Sequence, residues 1–96
     1  MAKAWFIPVE GGAQEIEVES RFSTRDLSAK YFGGETLDFT KVRYLGRVRT
    51  MAVLDSGMVD GHPVNSIATE AYQANCKPGT LWAIHGPAVI FESLLP

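Results

Sequence analysis

From Gln14 to Ser20 the chain alternates without a break, with Ile16 and Val18 on one side and Glu15, Glu17 and Glu19 on the other. Side chains of an extended strand point to opposite faces in turn, so this run reads as a strand with one face in a core and one in water. Such half-solvated strands belong to antiparallel sheets, because parallel ones are covered on both faces. Just before it, Lys3 to Val9 sets Trp5, Ile7 and Val9 against Phe6, and Gly11-Gly12 supplies permissive turn dihedrals. The two segments predict a hairpin.

The rest of the chain follows from similar signals. Ser23 or Thr24 is placed to cap a short helix with Leu27 and Tyr31 facing inward, and Gly33 is placed to end it in a left-handed conformation. Leu37 to Asp55 is rich in β-branched and aromatic residues and reads as two strands joined near Leu45 and Gly46, or as one bent strand. Asp55-Ser56-Gly57 and Asp60-Gly61 are turn chemistry with a short extended bridge between them. Asn65 is a good N-cap for a second helix carrying Ile67, Ala68, Ala71 and Tyr72 on one stripe, stopped by Pro78-Gly79. Thr80 to His85 and Ala88 to Glu92 read as two final strands, the last apolar enough to be central. The expectation is an α+β fold: a mostly antiparallel sheet of five to six strands with two short helices packed on it. At 96 residues the chain holds one core, so residues 1–96 form a single domain.

Charge and composition narrow the function. Nine Lys+Arg against eleven Asp+Glu give a net charge of -2, which argues against nucleic-acid binding and against an anionic membrane surface. No apolar run approaches the roughly 20 residues of a membrane span. The single cysteine, Cys76, closes no internal disulfide and suits a reducing, cytoplasmic compartment. It has only Lys77 beside it to favour a thiolate and reads as packing. His62 and His85 lack the spacing of a helical metal site, no carboxylate pair stands out as acid and base, and no phosphate-cradling glycine loop occurs. The chain is therefore expected to be no enzyme and to need no cofactor or metal.

Within the acidic whole, Lys41, Arg43, Arg47 and Arg49 share one parity, broken only by Leu45. In a continuous strand they would line one face and hold an anion through bidentate guanidinium contacts. The competing account sets them across from Glu15, Glu17 and Glu19 in cross-strand ion pairs, and a turn at Gly46 would split the series. The entry to the second helix is a further candidate anion site, with Asn65 and Thr69 as hydrogen-bonding groups, although capping alone accounts for Asn65. Tyr44 and Trp82 are candidates for stacking a base. The aromatic content is high for one small core, and the tail Phe91, Leu94 and Leu95 suggests cover by a second subunit, hence a homo-oligomer.

One order of motifs links several of these points. Gly33-Gly34 is followed by Gly57-Met58-Val59-Asp60-Gly61-His62-Pro63-Val64-Asn65, then by Ala68-Thr69 with Tyr72, then by Gly86-Pro87-Ala88-Val89-Ile90. From about Leu27 to Ile90 this order resembles the domain of unknown function 3846 family, small proteins of phages, plasmids and their bacterial hosts. The features shared are a Gly-Gly after the first helix, a Gly-x-x-x-Gly-x-Pro-Leu-Asn-like turn, here with Val64 in place of Leu, and an Ala-Thr pair on the second helix. The resemblance implies a mobile-element origin and transfers no catalytic residue. The leading expectation is a non-enzymatic phage-type protein that binds a small anionic ligand, such as a defence-signalling cyclic nucleotide, and sequesters it. Arg43, Tyr44, Arg47, Arg49, Asn65, Thr69 and Trp82 would be the binding residues. The alternative is a protein-interaction module that inhibits or adapts a host complex.

Overall fold

The computed structural model describes residues 2–95. Seven elements follow one another: β1 (Ala2–Ile7), β2 (Gln14–Val18), α1 (Thr24–Tyr31), β3 (Leu37–Tyr44), β4 (Arg47–Leu54), α2 (Ser66–Gln73) and β5 (Ala88–Phe91). The strands make one five-stranded sheet in the order β2-β1-β5-β4-β3, antiparallel at every junction. The fold is α+β.

The two hairpins lie at opposite sides of the sheet, and β5 sits between them, bonded to β1 on one side and β4 on the other. All four of its residues are buried, as its unbroken apolar run requires. Pairing partners share a face, so the register defines two cores. On one face Trp5, Ile7, Val42, Met51, Val53, Ala88 and Ile90 pack with Ala68 and Ala71 of α2. On the other, Ala4, Val18, Ala52, Leu54, Val89 and Phe91 pack with Leu27 of α1 and with Phe32. Each helix therefore covers its own side of the sheet.

The helix starts follow the sequence closely. Ser23 caps α1, its Oγ accepting from the Asp26 amide at 3.0 Å, and the chain leaves the helix through Gly33 at φ 66°. Asn65 caps α2. That helix ends at Gln73, ahead of Pro78-Gly79, and Asn75 and Cys76 continue in turns bonded back to Tyr72 and Gln73.

Three expectations need correction. Thr80 to His85 is not a strand: its only ladder contact is an isolated bridge from His85 to Val64, so the sheet has five strands. Its backbone bonds instead to α2 and its cap, as described below. Met58-Val59 is not an extended bridge but part of a continuous turn, closed by amides of Asp60, Gly61 and His62 donating to Ser56, Met58 and Gly57 carbonyls. Nor does the apolar tail stand open for a second subunit as a unit. Phe91 is buried and stacks on Phe22 at 5.0 Å, and the Leu95 amide donates to Thr50 Oγ1 at 2.8 Å, leaving only Leu94 largely exposed.

The β3–β4 connection settles how the basic residues fall. Tyr44 pairs directly with Arg47, so Leu45-Gly46 is a two-residue turn, with φ of 49° and 79°. Both central residues are left-handed, the geometry that matches strand twist in tight hairpins. A leucine is an unusual occupant there because its Cβ crowds the following carbonyl.

Candidate functional site

The turn at Leu45-Gly46 divides the basic series between two faces. Arg47 and Arg49 pair with Tyr44 and Val42 and lie on the α2 side, whereas Lys41 and Arg43 pair with Thr50 and Val48 and lie on the α1 side. Lys41, Arg43 and Arg47 are solvent-exposed. Among the described residues none of the four pairs with the acidic strand, because β2 is one outer edge of the sheet while β3, the other edge, lies about 19 Å away at the usual strand spacing and β4 about 14 Å away. Glu15 instead meets Lys3 at 3.1 Å on the neighbouring strand.

Arg49 is 6% exposed and is occupied by the chain itself. Its Nε donates to the Tyr44 carbonyl at 2.8 Å and its Nη1 to the Glu92 carbonyl at 2.7 Å, while the guanidinium lies 4.9 Å from the Trp5 ring centroid. Tyr44 meets the same Trp5 ring edge-on at 5.4 Å. Arg49 thus ties the β3–β4 turn to the end of β5.

Asn65 and Thr69 are also engaged. Asn65 is 1% exposed; its Oδ1 accepts from Ala68 N at 3.1 Å, and its Nδ2 donates to the Ile7 and Gly86 carbonyls at 2.9 and 3.0 Å. Thr69 Oγ1 accepts from Ile84 N at 2.9 Å and donates to Ile84 O at 3.4 Å. The sequence-predicted residues are therefore not brought together around one cleft: Arg49, Asn65 and Thr69 serve the fold, Tyr44 packs on Trp5, and Arg43, Arg47 and Trp82 point to solvent in different places.

What the structure does assemble is a hollow beside Trp82. The segment Thr80 to Gly86 runs past α2 as a strap, held by Gln73 Nε2 on the Trp82 carbonyl at 3.1 Å, by Thr69 on Ile84, and by Asn65 N on the Ile84 carbonyl at 2.8 Å. With their backbone pinned from α2, Leu81 and Trp82 turn their side chains outward, 89% and 59% exposed. The turn after β4 meets the strap closely. A Cβ on Gly57 would lie 2.5 Å from the His85 carbonyl oxygen, a distance no side chain tolerates against backbone, and the Ser56 hydroxyl donates to Asp60 Oδ2 at 2.8 Å. This contact brings Met58 into the same hollow as Trp82 of the strap, and Val59, next to Met58 in sequence, is exposed as well.

Between turn, strap, α2 and the start of β3 lies a cavity of about 180 Å³, walled by Asp38, Thr40, Asp55, Met58, Tyr72, Trp82 and His85 among others. His85 Nδ1 sits 2.8 Å from the His62 carbonyl, which only accepts, so Nδ1 carries a proton and donates it there. Partial burial raises the Tyr72 phenol above its usual value, and the Cys76 thiol, which shares a hydrogen bond with it, adds to the effect. Asp38, Asp55, Met58 and His85 carry no shared signal in the sequence, because three separate segments supply them: β3, the turn after β4 and the strap.

A larger groove, about 730 Å³, lies on the α1 side between Ser20, Phe22, Phe39, Thr40, Lys41, Thr50 and Leu95. Among the described residues no cluster of three or more His, Cys, Asp or Glu is arranged to hold a metal, and no helix is long and apolar enough to cross a membrane. No protein-family model matches the chain, and comparisons with curated proteins and with solved structures gave no match either. The family likeness therefore rests on the order of its motifs alone.

Proposed function

We propose that this protein is a non-enzymatic interaction module that docks a partner protein on the face formed by Met58-Val59 and Leu81-Trp82. One observation carries the reading: four large apolar side chains from two adjoining segments stand in solvent, 55%, 82%, 89% and 59% exposed in chain order. Scattered apolar residues are ordinary on a surface, but a patch centred on an exposed Trp marks an interaction site, since buried Trp side chains dominate binding energies. This face supports the adaptor or inhibitor role in a host complex, the alternative in the sequence reading, over its leading expectation of an arginine-lined ligand site. Affinity purification of the wild-type chain, a Leu81→Ser/Trp82→Ala variant and an Arg43→Ala/Arg47→Ala variant tests it. A partner recovered in stoichiometric amount, lost with the first variant and kept with the second, is the expected result. Equal recovery with all three removes this face from consideration.

A second reading has one observation of its own. The 730 Å³ groove is within the range of roughly 300–1,000 Å³ typical of small-molecule sites, and it sets Lys41 beside the rings of Phe22 and Phe39. We infer from this that a small anionic ligand, a nucleotide among the candidates, would bind there and not at the arginines, with Phe39 stacking and Lys41 meeting phosphate. Sequestration of a defence signal would be the use of such a site in a mobile-element protein. Calorimetric titration with a panel of cyclic nucleotides is the test: heat lost in Lys41→Ala supports the groove, and no heat from any ligand overturns it.

A further inference from the structure

The chain contains its own example of a cation held by an indole and a carboxylate. Lys3 Nζ lies 5.6 Å from the Trp5 ring centroid and 3.1 Å from Glu15 Oε1, and Arg49 approaches the same ring. The hollow at Trp82 repeats this chemistry without the cation. Its walls carry Trp82, Tyr72 and the carboxylate-bearing Asp38 and Asp55, and no lysine or arginine is among its lining residues. Neither aspartate is in an ion pair among the described residues, and Trp82 has no cation over its ring. Asp38 accepts only the amide of Phe39, at 2.9 Å, which leaves its second carboxylate oxygen open.

We propose that this hollow receives an arginine side chain of the partner protein, flanked in that partner by apolar residues that cover Met58 and Leu81. The assignment rests on the docking reading above and names the chemistry of its centre. Charge complementarity selects the occupant: two carboxylates without a counter-ion beside an exposed indole favour a cation strongly and oppose an anion. Size selects a single side chain, since about 180 Å³ is below what drug-sized ligands occupy. Arginine is favoured over lysine because its planar guanidinium stacks on an aromatic face while its edge reaches two carboxylate oxygens.

Two capped peptides decide the matter, acetyl-Leu-Arg-Leu amide and the same peptide with citrulline, which keeps the shape of arginine and lacks its charge. Each is titrated to roughly 10 mM, the range in which such short contacts bind, while the indole N–H resonances of Trp82 and Trp5 are followed. The expected outcome is a saturable shift of Trp82, about tenfold tighter for the arginine peptide, with Trp5 unmoved. Asp38→Asn/Asp55→Asn should erase that preference while leaving the Trp5 resonance at its native position, which reports an intact fold. Equal binding of the two peptides at Trp82 overturns the arginine assignment and leaves the apolar docking face standing. No shift from either overturns the assignment too, and the purification experiment then decides alone whether the face docks anything.

Discussion

The two helices begin with the same device and use it differently. Ser23 sits in solvent and makes one side-chain bond, to the Asp26 amide of its own helix. Asn65 is sealed inside, and its three side-chain bonds reach α2, β1 and Gly86. One cap finishes a helix; the other joins three segments that are far apart in sequence. On the α2 side buried Asn65 and Arg49 and half-buried Thr69 tie together segments distant in sequence, each through two or more side-chain bonds. On the α1 side the buried polar groups Ser28 and Thr50 make one side-chain bond each, to the Glu35 carbonyl and from the Leu95 amide, beside apolar contact among Leu27, Phe32, Phe22 and Phe91.

Replacing Asn65 with Ala should be the most damaging of these changes. It removes a cap worth about 1 kcal/mol and strands two buried carbonyls at about 1–3 kcal/mol each, so chemical denaturation should register a loss of about 3–7 kcal/mol. Arg49→Ala comes next, with two carbonyls and the Trp5 face uncovered, and a loss of about 2–4 kcal/mol by the same measurement. Thr69→Val keeps the shape and removes the hydroxyl from Ile84, costing about 1–3 kcal/mol; it should also speed amide exchange at Ile84. Ser23→Ala should cost about 1 kcal/mol or less and leave the α2 side untouched. A double-mutant cycle sharpens the contrast. Asn65→Ala and Thr69→Val, which share the Ile84 strap, should couple, whereas Asn65→Ala and Ser23→Ala should add. Additivity in both pairs would show that the buried cap is as local as the exposed one.

The sequence made the local features plain because each is written within a few residues. The alternation at Gln14–Val18, the caps Ser23 and Asn65, and the apolar run Ala88–Phe91 needed no partner to be recognised. Thr80 to His85 has the residues of a strand, and the proximity of Gln73, Thr69 and Asn65 diverts its backbone into the strap instead. The shared parity of Lys41, Arg43, Arg47 and Arg49 likewise describes one strand, and a two-residue turn places the pairs on opposite faces. The hollow was hidden for a different reason. Asp38, Asp55, Trp82 and His85 meet only after β3, β4 and the strap have taken their places, and spacing along a chain does not encode that meeting.

The central position of β5 has one more consequence. Each hairpin is a neighbourly structure, but β1 and β4 touch no common strand except residues 88–91. During synthesis both hairpins emerge first, each with an apolar flank awaiting the same late insert. Until it arrives, those flanks can zip onto the matching flanks of other nascent copies, so the interval before insertion is when this protein is most exposed to misassembly and most in need of a chaperone.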